Sequence, residues 1–207
     1  MFGPLSDGYS SWFVYRIEEL AENRKGSMRT GPFGSDLKHS EFVESGIAVI
    51  GIDNAVKNEF SWGERRYITQ EKYERLMRYR VYPGDLIITI MGTTGRIAVI
   101  PSDIPVSIST KHLAVITLDK GKVDPDFLAV AIRTHPDLLK QIRNSNKGAI
   151  MDGLNLGLIK ALTLRLPPLV LQLEYLEVLR IIHKRIHEAR LLYIQQDELF
   201  NALMQQA

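Results

Sequence analysis

Residues 169–205 contain neither glycine nor proline, and this stretch constrains the chain more than any other. Nothing in it breaks a helix, and Pro168 just before it supplies the fixed φ of a first helical turn. A seam runs along it through Tyr175, Leu179, Ile182, Ile186, Ala189, Tyr193, Gln196, Phe200 and Leu203. The spacings alternate four and three, which is the pattern of a coiled coil. Val178, Ile181, Leu192 and Leu199 lay a second apolar line beside it. An unbroken helix from Pro168 to about Met204 rises roughly 55 Å. That is longer than a domain of this size is wide, so part of it must project. A projecting helix with so much apolar surface needs a partner helix, and two-fold pairing with a second copy is the usual solution.

Upstream the chain has a different character. Residues 1–166 are short elements broken by glycine and proline, and Pro167-Pro168 marks the change. The division predicts a domain over 1–166 and a spacer helix over 167–207. Apolar Ile17 and Leu20, with Glu18, Glu19 and Glu22 turned outward, predict a first helix over Val14–Glu22. Apolar runs predict strands at Ile47–Ile52, Leu86–Ile90, Arg96–Ile100, Leu113–Leu118 and Leu162–Leu166. Pro83-Gly84-Asp85 is a turn, and Gly92-Thr93-Thr94-Gly95 joins two of the strands as a hairpin. Asp124-Pro125-Asp126 starts a helix with an N-cap, a first-turn proline and an acid that the helix dipole favours. Thr134-His135-Pro136-Asp137 starts another. The fold class is α+β: a mixed, β-rich domain with short helices, followed by a long C-terminal α-helix.

Composition closes off several chemistries. The 207 residues include no cysteine, so disulfides, thiolate metal sites and cysteine nucleophiles are excluded. That absence fits a reducing, cytoplasmic setting. No run reaches the ~18 apolar residues of a membrane span, and the first seven residues lack the basic-then-apolar order of a signal peptide. Histidines stand at 39, 112, 135, 183 and 187, and only His183 and His187 share a helix face, one or two ligands short of a zinc site. No carboxylate pair, serine elbow, HExxH motif or phosphate-binding P-loop is present. No Gly-rich cofactor loop follows a strand, so the sequence implies no cofactor, no metal and no catalytic residue.

The net charge of +2 is unevenly placed. Four basic and five acidic residues fall in 169–207, leaving +3 on residues 1–168. Between Glu64 and Arg80 six basic residues (Arg65, Arg66, Lys72, Arg75, Arg78, Arg80) outnumber three acids. Arginine matches phosphate and guanine edges bidentately, so this stretch is suited to nucleic acid. A solvated helix face explains it equally, because Glu71 with Arg75 and Glu74 with Arg78 stand at i,i+4 spacing. Arg65 and Arg66 lack such neighbours and are the stronger candidates. Thr93, Thr94 and Arg96 present hydroxyls and a guanidinium that suit phosphate, or simply complete a hairpin. Lys111 and His112, and the polar loop Asn144, Asn146 and Lys147, are candidates to reach bases, or ordinary loops. Gly31-Pro32-Phe33-Gly34-Ser35 reads as a structural turn fixed by glycine, proline and aromatic packing.

Taken in order, several short patterns resemble one family. They are Gly31-Pro32-Phe33-Gly34-Ser35 with Leu37-Lys38, then Gly46-Ile47-Ala48-Val49-Ile50, Asn54 and Tyr67-Ile68. Pro83-Gly84-Asp85-Leu86 and Gly92-Thr93-Thr94-Gly95-Arg96 follow. Gly148, Leu154-Asn155-Leu156, Leu166-Pro167-Pro168 and Gln172 complete the set. From about Trp12 to the C-terminus the chain is similar to the target recognition domain of type I restriction-modification specificity subunits. The resemblance implies a non-catalytic subunit that reads double-stranded DNA and holds two methyltransferase subunits, with a restriction subunit a possible further partner. Full-length members carry two such domains and two long helices packed antiparallel. This chain has one of each, so the resemblance implies a half-subunit, or fragment, whose helix pairs antiparallel with a second copy in a homodimer. The rival reading is a scaffold that uses its helix and never touches DNA. A stand-alone nuclease or methyltransferase lacks the residues it would need.

Overall fold

The structure is a computed structural model that describes residues 12–145 and 154–204. In chain order it runs β1 (Val14–Arg16), β2 (Met28–Thr30), β3 (Ile47–Ile50), β4 (Tyr67–Ile68) and α1 (Gln70–Leu76). Strands β5 (Arg80–Val81), β6 (Leu86–Thr89), β7 (Ile97–Val99), β8 (Ser107–Ser109) and β9 (Leu113–Ile116) follow. Then come α2 (Pro125–Thr134), α3 (Pro136–Ser145), α4 (Leu156–Ala161), β10 (Thr163–Arg165) and α5 (Leu169–Met204).

The α+β class holds. Two four-stranded sheets carry the fold, one ordered β2-β9-β6-β7 and the other β4-β3-β8-β5. The first is antiparallel throughout, and the second contains one parallel pair, β3 with β8. Side chains on a strand alternate between faces, and here both faces are buried. From β6 and β9, Leu86, Ile88, Ala114 and Ile116 pack against α2, α3 and α4. Their alternates Ile87, Leu113 and Val115 pack against Ile50 and Val81 of the second sheet. This burial on both sides is why these strands read as unbroken apolar runs rather than alternating ones. On the far side of the second sheet, Val49, Ile68 and Ile108 are covered by Tyr73 and Leu76 of α1. The layers are therefore helices, sheet, sheet, helix, and each fully buried large aliphatic side chain contributes about 1.5–3 kcal/mol.

Residues 14–22 are not a helix. Val14–Arg16 form β1, which pairs antiparallel with β10, and Ile17–Leu20 form a single 3-10 turn. Ile17 and Leu20 are fully buried as their spacing requires, but one 3-10 turn satisfies that spacing as well as an α-helix does. The Asp124 start forms as expected, with its carboxylate accepting from the backbone N–H groups of Asp126 (2.9 Å) and Phe127 (3.2 Å). Asp124→Ala should lower stability by about 1 kcal/mol in urea unfolding; an unchanged midpoint would mean that Pro125 alone sets the helix start.

The last helix, 36 residues and about 54 Å long, is anchored only at its beginning. Gln172 is fully buried. Its carbonyl accepts from Asp124 N–H (2.9 Å), and its amide donates to the carbonyls of Lys122 (3.0 Å) and Pro167 (2.8 Å). The Tyr175 ring meets Phe127 edge-on at 5.8 Å. Leu179 is half-buried, and beyond it the described seam is exposed, with Ile182 at 46%, Ile186 at 47% and Tyr193 at 70%. The side chains of Phe200 and Leu203 lie outside the described residues. No described helix is long and apolar enough to cross a membrane.

Candidate nucleic-acid interface

Three loops meet beside the second sheet. The segment after β2, the turn after β3 and the β8–β9 connection enclose a cleft of about 390 Å³. Two glycines permit it. A Cβ on Gly31 would lie 2.3 Å from the backbone carbon of Thr110, so only glycine lets the first loop cross the third. A Cβ on Gly51 would lie 2.7 Å from Arg66 Nη2 and 2.8 Å from Asp53 Oδ1, so glycine also leaves room for an ion pair between Arg66 and Asp53. The side chain of Asn54 fixes the middle loop. Its carbonyl accepts from Gly51 N–H (2.9 Å) and its amide donates to the Ser61 carbonyl (3.0 Å).

Of the candidate residues, the cleft gathers Arg66, Lys111 and His112, with His39 and Phe42 on the opposite wall. The pair with Asp53 corrects the expectation that Arg66 lacks an acid partner. Burial, then the charges of Lys111 and Arg66, hold the His112 imidazole below its ordinary value, so it is mainly neutral at pH 7. Three buried side-chain atoms of cleft residues, Asp53 Oδ2, Arg66 Nε and Thr110 Oγ1, have no hydrogen-bond partner among the described residues.

The Gly92–Gly95 hairpin stands against the same cleft. A Cβ on Gly92 would come 3.0 Å from Ile52 Cδ1 on the cleft wall. Thr89, fully buried at the end of β6, fixes the hairpin: its hydroxyl donates to the Thr93 carbonyl and accepts from Arg96 N–H (2.9 Å). Thr93 and Arg96 are exposed, and Thr94 is half-buried. Arg65 stacks on Trp62 at 4.8 Å. Arg65, Arg96 and Lys111 have no acidic partner among the described residues.

The remaining candidates do not join the cleft. Lys72 bonds Glu41 (2.6 Å) and Arg75 pairs with Glu71 along α1, as the spacing anticipates. Arg78 pairs with Asp36 (3.3 Å) rather than with Glu74. Arg80 lies over the Tyr82 ring at 5.0 Å, beside Arg24 and Arg29. Asn144 is exposed at the end of α3, and Asn146 and Lys147 lie outside the described residues. Phe33 is 50% exposed, so aromatic packing does not fix the Gly31–Ser35 turn. Asp53, His39 and Phe42 are cleft residues that the sequence alone does not single out. No group of three metal-ligating side chains occurs among the described residues.

No protein-family model matches the sequence, and no curated protein matches it. Solved structures do share the architecture. A chain of a type I restriction-modification system, from a study of that system's assembly and conformational transition, superposes with a TM-score of 0.63 at 15% identity. The match covers 88% of this chain and 41% of that one. The layered sheets and terminal helix are shared with that chain at the level of the fold. More particularly, the HsdS subunit of Thermoanaerobacter tengcongensis matches with a TM-score of 0.64 at 16% identity, over 95% of this chain and 48% of the subunit. The chain has the fold of a type I specificity subunit and spans less than half the length of the structures it matches.

Proposed function

We propose that this chain is a DNA-sequence-reading component of a type I restriction-modification system. It reads one half-site, pairs with a second copy through α5 and positions methyltransferase subunits, while chemistry is left to those partners and to any restriction subunit. The carrying observation is the cleft. On a fold shared with specificity subunits, it brings Arg66, Lys111 and His112 together beside the hairpin of Thr93, Thr94 and Arg96. Arg65 extends this basic surface, with Lys72, Arg75, Arg78 and Arg80 as outer contacts. Asn144, Asn146 and Lys147 complete the proposed set. Residues 1–166 act as the recognition domain and 167–207 as the spacer.

The seam supports antiparallel pairing. Its positions 179 and 203, 182 and 200, 186 and 196, and 189 and 193 are symmetric about residue 191. That symmetry brings Leu179 level with Leu203 and Ile182 level with Phe200 in an antiparallel pair. The resulting homodimer presents two inverted recognition domains.

Selection from random-sequence duplex DNA with the purified chain tests the proposal. Two inverted half-sites with a fixed gap are expected. A single half-site would defeat the pairing, and no enrichment at any salt concentration would favour the scaffold reading. Affinity should also fall steeply as salt rises, because each neutralised phosphate releases counterions. Protonation adds a further expectation. Phosphate beside His112 favours the imidazolium, so binding takes up a proton and tightens as pH falls through neutrality toward the lowered range of the free imidazole. His112→Gln should flatten that dependence in titrations at constant ionic strength; an unchanged slope would place phosphate elsewhere.

A further inference from the structure

We propose that the cleft receives a single nucleotide unstacked from the duplex, with the exposed Phe33 side chain acting as the wedge that replaces it in the stack. This rests on the DNA-reading role and specifies what occupies the site.

Groove readout needs side chains that protrude toward base edges. A recess of about 390 Å³ is not required for that, but it falls in the size range of small-molecule pockets. Its walls suit a nucleotide. Pro32, Leu37, Phe42 and Ile52 offer apolar surface to the faces of a base, and the His39 ring meets Phe42 edge-on at 5.6 Å. Lys111, without an acidic partner among the described residues, supplies positive charge for the phosphate that travels with the base. Pockets that hold extruded bases combine these elements: apolar or aromatic walls and hydrogen bonds to a base edge.

The rim supplies the second half. Phe33 follows Pro32 on the cleft wall and precedes Gly34, whose φ of +59° turns the chain sharply. The preceding Gly31 is held against the Thr110 backbone, so the tip is carried on a fixed base. Met91, 42% exposed, stands next to Gly92 where the hairpin abuts Ile52. Large apolar side chains at the edge of a DNA-facing surface insert between base steps and unstack them.

A mismatch scan tests this with the protein as it stands. The duplex recovered by selection is remade with one mismatched pair at each position in turn, and affinity is measured by fluorescence anisotropy. An already unpaired base costs less to extrude. One position should therefore bind about tenfold or more tightly when mismatched, while mismatches at directly read positions weaken binding. 2-Aminopurine at the tightened position should brighten on complex formation. Phe33→Ala should weaken binding to the matched duplex more than to the tightened mismatched one, while melting at the wild-type temperature, since Phe33 is half exposed. If the matched duplex is bound but no mismatch tightens it, the cleft does not hold a nucleotide and the DNA-reading role stands. Equal loss on matched and mismatched duplexes, or no loss on either, overturns the wedge. Failure of the wild-type chain to bind any duplex overturns the DNA-reading role and this inference with it.

Discussion

Replacing Ile186 and Tyr193 with glutamate is expected to convert the proposed two-fold dimer into a monomer and to weaken binding to the proposed paired site by about 10²- to 10⁴-fold. Both residues lie on the exposed seam, and neither touches the domain core. The fold should therefore survive, with an unchanged domain melting transition. The loss comes from linkage alone. In the dimer the second half-site is met at the high local concentration set by α5; in the monomer it must be found from solution. Light scattering reads the mass, and competition between one-half-site and two-half-site duplexes reads the linkage. A variant that stays dimeric would show that another surface carries the pairing. A variant that is monomeric yet keeps full affinity would show that the two domains do not act on one DNA.

Asp85→Ala is expected to cost about 3–5 kcal/mol of stability, because it strands a buried guanidinium. Asp85 is 1% exposed and accepts from Arg29 Nη2 at 2.7 Å and from the Tyr82 backbone N–H at 2.9 Å. Arg29, 9% exposed, also donates to Thr117 Oγ1 (3.0 Å) and to the Gly26 carbonyl (3.1 Å), and it lies over the Tyr82 ring. With a further bond from Arg29 Nη2 to the Arg80 carbonyl, these join β2, β5 and the turn before β6. Without the carboxylate they hold an unpaired charge between the two sheets. Urea unfolding measures the loss, and a decrease below about 1 kcal/mol would mean that Arg29 moves out to water in the variant. Asp85→Asn keeps an acceptor and should fall between the two.

These residues also mark what the sequence can and cannot disclose. Pro83-Gly84-Asp85 is legible as a turn, and the chain does turn there: Asp85 N–H donates to the Tyr82 carbonyl at 2.9 Å, with Gly84 at φ +82°. The partner of Asp85 is 56 residues away, so no local pattern reveals it. The same holds at the cleft. Arg66 finds Asp53 across 13 residues and Arg78 finds Asp36 across 42, beyond the i,i+4 spacing that a sequence displays. The helix start at Asp124, the hairpin before Arg96 and the whole of α5 are legible because their signals are local. Strand β8 is hidden because its fully buried outer residues are serines, Ser107 and Ser109. Strand β1 is hidden because its three residues are strand only through β10, some 150 positions later in the chain.

That distant pairing has a kinetic consequence. Val14 to Arg16 lie antiparallel to Arg165 to Thr163, and flanking bonds extend the ladder from Ile17 N–H to the Leu162 carbonyl (2.8 Å) and from Leu166 N–H to the Phe13 carbonyl (3.0 Å). The first strand and the last therefore close one clasp, and neither can fray while the other stays in place. Local opening at the edges of a domain is usually its cheapest excursion. Here it requires both edges at once, together with the root of the long helix. Amide protons along this ladder should exchange with solvent in concert and far more slowly than those of α5 beyond Tyr175, so the point from which the helix springs is a slow hinge and its outer end a fast one.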